Sequence, residues 1–195
     1  MKIPFKDPPS VARLRELFTY HEEEHVIGGH GCVGGFKWNF RLDVSNSWNS
    51  RYAGKFVGTW AKDNRVYAMV DRSQFQLSVL VWAYYNRELP RPLLLDHINR
   101  NSLDNRISNL RLASVNSNNA NRSPTGNTTS KYRGVYLSSR GKWVAQIKVN
   151  REVIYLGSFL TEEEAARVRD EASIKYFGEF AYLNFLDEVA DATSL

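Results

Sequence analysis

LDHINRNSLDNRISNLRLASVNSNNAN, residues 95–121, sets eight asparagines around a single Asp-His pair. Asparagine favours turns and caps, where its carboxamide hydrogen-bonds nearby backbone, so most of the stretch reads as a long loop. Its flanks read differently. LLLDH and ISNLRLA each have the composition of a short strand, and INRNSLDNR is the loop between them. Ser114 or Ser117 can cap a brief helix carrying Asn118 and Asn121. The order strand, loop, strand, helix is therefore predicted, with Asp96 and His97 on the first strand. Neighbouring strand residues point to opposite faces, so these two reach one ligand only where the strand ends or bends.

Upstream, Val11, Leu14, Leu17 and Phe18 recur at helical spacing after Pro8-Pro9-Ser10, predicting a short helix from Ser10. HVIGGHGCVGGFKWNFRLDV and GKFVGTWAKDNRVYAMVDRSQF are rich in β-branched and aromatic residues broken by Gly and by Lys62-Asp63-Asn64, which predicts short antiparallel strands. Gln76 to Asn86 is apolar and long enough for a buried helix, stopped by Pro90 and Pro92.

Downstream, SPTGNTTS over 123–130 breaks regular structure and is the expected linker. KYRGVYL, KWVAQIKV and VIYLGSF then predict three strands joined by tight turns. Alternation places Trp143, Ala145 and Ile147 on one face and Lys142, Gln146 and Lys148 on the other. Thr161 and Glu164 have capping-box spacing, and Ala165, Val168, Ala172 and Tyr176 give the following helix an inward face as far as Gly178.

The chain's 195 residues are 43% hydrophobic and 13% aromatic, enough for packed cores. No apolar run approaches the roughly 20 residues of a bilayer span. The N-terminus lacks a secretory pattern and Cys32 is the single cysteine, so a soluble protein of a reducing, cytoplasmic compartment is expected. A net charge of +5 favours a polyanionic partner. From 121 to 160 the basic residues Arg122, Lys131, Arg133, Arg140, Lys142, Lys148 and Arg151 face Glu152 alone, making that segment the candidate nucleic-acid face. Glu162, Glu163, Glu164, Asp170 and Glu171 then reverse the balance, on a helix expected to turn its acids away from DNA.

Hydrolysis of a phosphodiester requires a deprotonated water, a cation on the phosphoryl oxygens and help for the leaving oxygen. Histidine, with an ordinary pKa near 6.5, suits the first task, and a hard Mg²⁺ or Mn²⁺ ion prefers carboxylate and carboxamide oxygens. His97, Asp96 and an asparagine from the following helix supply these groups. A rival pattern, His21-Glu22-Glu23-Glu24-His25, has the H-E-x-x-H spacing of zinc proteases, but Gly28-Gly29 would end the helix at once, so it is read as a solvated helix end or exposed acidic turn.

DHINRNSLDNRISNLRLASVNSN, residues 96–118, resembles the HNH endonuclease family, and within it the phage homing branch with a ββα-metal site; the spacing is D-H-x11-N-x8-N. The resemblance implies Asp96 and Asn118 as ligands of Mg²⁺ (or Mn²⁺), His97 as general base and Asn109 as the catalytic-site asparagine that braces the loop. Asn119 is an adjacent alternative ligand, whereas Asn101 and Asn105 read as turn residues. Ser78-Val79 stand where relatives often carry His-Arg, which keeps a degenerate module open.

YRGV, GKWVAQI, YLGSF, EEAA and the terminal LNF resemble the Apetala-type, or ethylene-response-factor, DNA-binding domain over nearly all of 130–185. That resemblance implies a three-stranded sheet laid in the major groove, with Arg133, Tyr136, Arg140, Lys142, Gln146, Lys148 and Tyr155 as DNA-binding residues. Tyr136, Ser138 and Gln146 differ from the plant residues, so the plant target sequence does not transfer.

The expected fold class is α+β, with a small N-terminal α+β region over 1–92, a ββα-metal nuclease motif over 93–122, a linker, a DNA-binding domain over 131–186 and a tail over 187–195. The expected function is a Mg²⁺-dependent endonuclease that cuts double-stranded DNA to leave 5′-phosphate, as a monomer or a DNA-induced dimer. The alternative is a non-catalytic DNA-binding protein. RNA binding fits less well, because the sheet lacks an aromatic stacking signature.

Overall fold

Ser10 starts the first helix as its spacing predicts: its Oγ accepts from Arg13 N at 3.2 Å, and α1 (Val11–Leu17) buries Leu14 and Leu17. The computed structural model describes residues 7–86, 92–122 and 129–185. The expected tail, most of the expected linker and Pro90 lie outside them. The chain divides into two compact units, Met1–Leu112 and Ala113–Leu195.

In the first unit β1 (Phe18–Ile27) pairs antiparallel with β2 (His30–Trp38) across Gly28-Gly29, both at positive φ. A helix, α2 (Asn46–Tyr52), follows, capped by Ser45, whose Oγ accepts from Trp48 N; the strand-rich reading of this region omitted it. β3 (Thr59–Ala61), β4 (Arg65–Val70) and β5 (Ser73–Gln76) form an antiparallel sheet in chain order. α3 (Leu77–Asn86) lays Leu77, Leu80 and Val81 into a core with Leu14, Phe18, Phe36 and Val66. No helix among the described residues is long and apolar enough to cross a membrane.

The His21–His25 stretch is neither a helix end nor a turn. It lies within β1, because pairing with β2 extends the strand and alternation buries His25 and Ile27. His25 stacks on Phe56 at 3.7 Å between ring centroids. The helical face that H-E-x-x-H needs is absent there.

β6 (Leu94–His97) and β7 (Leu110–Ala113) form a two-stranded sheet, and the start of ISNLRLA is a 3₁₀ turn, Ile107–Asn109, rather than strand. The loop between them is pinned to β2: Val33 N donates to Leu103 O at 2.9 Å and Asn105 N donates to Val33 O at 2.7 Å. Gly34 allows this approach. It has φ +69°, and a Cβ there would lie 2.6 Å from Arg106 N.

In the second unit α4 (Val115–Asn121) begins at Ser114, whose Oγ accepts from Ser117 N at 3.0 Å. β8 (Val135–Leu137), β9 (Trp143–Val149) and β10 (Glu152–Phe159) form an antiparallel sheet ordered β10-β9-β8. α5 (Glu162–Phe177) packs on it, with the Thr161–Glu164 capping box formed and Gly178 at its C-terminal end. Val135, Ala145, Ala165 and Ala166 make the small core, closed by Trp143, Phe159 and Phe185.

The inward stripe of α5 is rotated from the expected one. Ala165 and Ala172 are buried, but Tyr176 is 41% exposed, and Ala166, Arg169 and Ser173 are buried instead. Asp170 is likewise not one of the outward acids. Its carboxylate accepts from Asn184 N at 2.6 Å, Phe185 N at 3.0 Å and Asn184 Nδ2 at 2.9 Å, strapping the terminal LNF onto the helix. A carboxylate with that many donors tolerates burial that a lone one would not.

Candidate active site and reading face

Asp96 is the third residue of β6 and His97 its last, so the strand ends where both chemical groups stand. Asp96 is buried, and its Oδ2 accepts from Arg111 Nε on β7 at 2.9 Å. His97 is half-buried, with its Nε2 3.4 Å from Asn105 Oδ1. Burial lowers its pKa, outweighing the opposite pulls of Asn105 and Asp96. The imidazole is therefore neutral near pH 7.

Asn109 ties the loop together from inside. Its Oδ1 accepts from Asn99 N at 3.0 Å, and its Nδ2 donates to Asn99 Oδ1 at 2.9 Å and Asp104 O at 2.8 Å. Asp104, buried, holds Arg106 Nη2 at 2.6 Å and accepts from Asn99 Nδ2 at 2.8 Å. The carboxamides of this stretch thus replace the regular ladder that a nine-residue loop lacks. Asp96, His97 and Asn109 all belong to the first unit, while Asn118 and Asn119 lie on α4 in the second.

On the second unit's sheet, Tyr136 pairs with Val144, Gln146 with Tyr155 and Lys148 with Val153. Directly paired residues share a face, so Tyr136, Gln146, Lys148 and Tyr155 stand together on the side away from α5. Trp143, Ala145 and Ile147 take the other, as alternation predicts. Arg140 and Lys142 are exposed at the β8–β9 turn. Arg133 is placed differently. Its guanidinium donates to Asn119 O at 2.8 Å and, more closely, to Ala120 O and Arg122 O, at the C-terminal end of α4.

Residues 75–120, from β5 to α4, match the model of a family described as HNH endonuclease. Over this segment the chain is similar to the HNH endonuclease family. Over 100 residues the chain is 35% identical to an uncharacterised HNH endonuclease, L560, of Acanthamoeba polyphaga mimivirus, covering 51% of each. It is also 47% identical over 68 residues to the ethylene-responsive transcription factor ERF070 of Arabidopsis thaliana, covering 31% of this chain and 42% of that one. With the dehydration-responsive element-binding protein 2A of Oryza sativa subsp. indica it shares 46% over 70 residues, covering 35% and 26%. The chain spans about half the length, or less, of these curated relatives.

Within the segment that matches the family model, two partnerships are not legible in the sequence. Asn105 was read as a turn residue, yet it meets His97; Arg111 carried no role, yet it holds Asp96. Arg111 had a signal. It is an arginine on the strand expected to pair with the one that carries Asp96, and opposite charges on paired strands attract. Asn105 had none, since eight loop positions separate it from His97 and only the pinning to β2 brings it back.

Proposed function

We propose that this chain is a divalent-metal-dependent DNA endonuclease of homing type, whose HNH segment hydrolyses a phosphodiester while its C-terminal sheet reads the duplex. The observation that carries this reading is the pair at the end of β6, a buried carboxylate next to a neutral, half-buried imidazole, inside the family-matched segment. Asn105 offers Nε2 of His97 an acceptor, so that nitrogen keeps the proton and Nδ1 is the base. Nδ1 takes a proton from water as the water oxygen bonds to phosphorus. The bond to the 3′ oxygen breaks, that oxygen takes up a solvent proton, and a 5′-phosphate remains.

Asp96 and, by motif spacing, Asn118 are the residues that would hold Mg²⁺ or Mn²⁺. The donor chemistry fits a hard ion: Mg²⁺ binds through one or two carboxylates and keeps several waters, and the group here is a buried Asp96 oriented by Arg111. Among the described residues no cluster of three His, Cys, Asp or Glu offers a softer site. When bound, the ion supplies charge neutralisation at the phosphoryl and leaving oxygens. Asn109 braces the loop, and Arg111 fixes the carboxylate's direction.

The reading face is the group Tyr136, Gln146, Lys148 and Tyr155, with Arg140 and Lys142 at its rim, and the similarity to plant DNA-binding proteins over this part supports duplex DNA as partner. One site per chain nicks; a DNA-induced pair of chains cuts both strands. A second reading, a DNA-binding protein with a silent HNH scaffold, is favoured by one observation: a guanidinium already sits on the Asp96 carboxylate.

Supercoiled-plasmid cleavage with and without Mg²⁺ separates the two. The wild type is expected to nick only with metal, and His97→Ala to bind DNA without nicking. Equal cleavage by His97→Ala would end the mechanism. Tight binding with no nicking by the wild type at any metal concentration would select the scaffold.

A further inference from the structure

Within the second unit, α4 and the β9–β10 hairpin enclose a groove of about 790 Å³. Its polar lining is Arg133, Lys148 and Arg151 with Asn116, Asn119 and Asn150, and among the described residues no carboxylate lines it. Hydrogen bonds brace α4 at its edge. Asn116 Nδ2 donates to Asn150 Oδ1 at 2.8 Å, and Arg133 holds the last carbonyls of α4. Lys148 and Arg151 are exposed. Such a concavity offers cations and carboxamides, the groups that recognise phosphodiester oxygens without reading a base.

Lys148 belongs to both surfaces. It lines the groove, and in the sheet register it lies beside the Gln146–Tyr155 pair on the proposed reading face. We propose that the groove is a backbone site for duplex DNA, in which Lys148 and Arg151 neutralise successive phosphates and the Asn116–Asn150 wall supplies neutral donors. Arg133 is a positioning residue here: it holds the C-terminal end of α4 to the segment that precedes β8 rather than meeting DNA itself. The proposal rests on the DNA-reading role of the sheet and adds a second surface to it.

The test is duplex binding by the full chain, followed by fluorescence anisotropy in EDTA across a salt series, with two unrelated duplexes. Arg151→Gln and Lys148→Gln are each expected to weaken binding about threefold or more, equally on both duplexes, and to lower the slope of log K against log salt by about 1. Lys62→Gln, on an exposed turn of the first unit, should match the wild type. An Arg151→Gln variant with wild-type affinity and slope overturns the groove while leaving the reading face intact. A loss confined to one duplex makes Arg151 a base reader and overturns the backbone assignment. Wild-type protein that binds neither duplex overturns both the groove and the reading on which it rests.

Discussion

Arg111 Nε lies 2.9 Å from Asp96 Oδ2, with the two side chains only 13% and 7% exposed. The strand pairing of β6 and β7 brings a cation and an anion together out of water. Removing one partner of such a pair leaves the other buried and uncompensated, at a cost of about 3 kcal/mol. Arg111→Ala is expected to lower unfolding stability by that order in urea titration, whereas Arg111→Lys should recover part of it. Wild-type stability for Arg111→Ala would show that the carboxylate is solvated after all.

Asn105 orients His97 from 3.4 Å. Residues that orient a reacting group typically cost about tenfold to a hundredfold when removed. Asn105→Ala should therefore lower kcat in plasmid nicking on that scale while KM for DNA stays near the wild-type value. Asn105→Asp keeps the acceptor and adds a negative charge, so the acid limb of the pH–rate profile should move to higher pH. A purely structural role would leave that limb where it was.

Gly34 permits the loop to lie on β2. A non-glycine residue in the left-handed region costs about 1–3 kcal/mol, and here the new Cβ would also meet the backbone of Arg106. Gly34→Ala should lower stability by at least that amount and reduce nicking together with it, because Asn105 rides on the same loop. Thermal melting and cleavage measured on one preparation would test the linkage.

His25 is buried between strands and stacked on Phe56, with Lys37 above the same ring. Burial pushes its pKa down, more strongly than the Glu23 carbonyl and carboxylate push it up. The sign follows: below the ordinary histidine value of about 6.5 the unfolded chain takes up the proton first, so stability falls as pH drops through that value towards the folded one. Above it the penalty is absent. His97, shifted the same way, adds to the slope. His25→Gln should flatten part of the stability decline between about pH 7 and pH 5 in urea titrations, and an unchanged slope would assign the acid sensitivity elsewhere.

Much of this protein was legible as local pattern. The Ser10 and Ser114 caps, the Thr161–Glu164 box and the alternation of β9 all follow from interactions within a few residues, and they form as predicted. The Asp96–His97 pair and the asparagine-rich loop were visible for the same reason, since their spacing is written along one short segment.

Tertiary structure decided what no local pattern encodes. It turned His21–His25 into a paired strand, buried Asp170 under the returning chain, placed Arg111 on Asp96 and Asn105 on His97, and bent Arg133 onto α4. Each of these depends on which distant segment arrives, and the energy of a buried charge or carboxamide is set by that partner rather than by its neighbours in the chain.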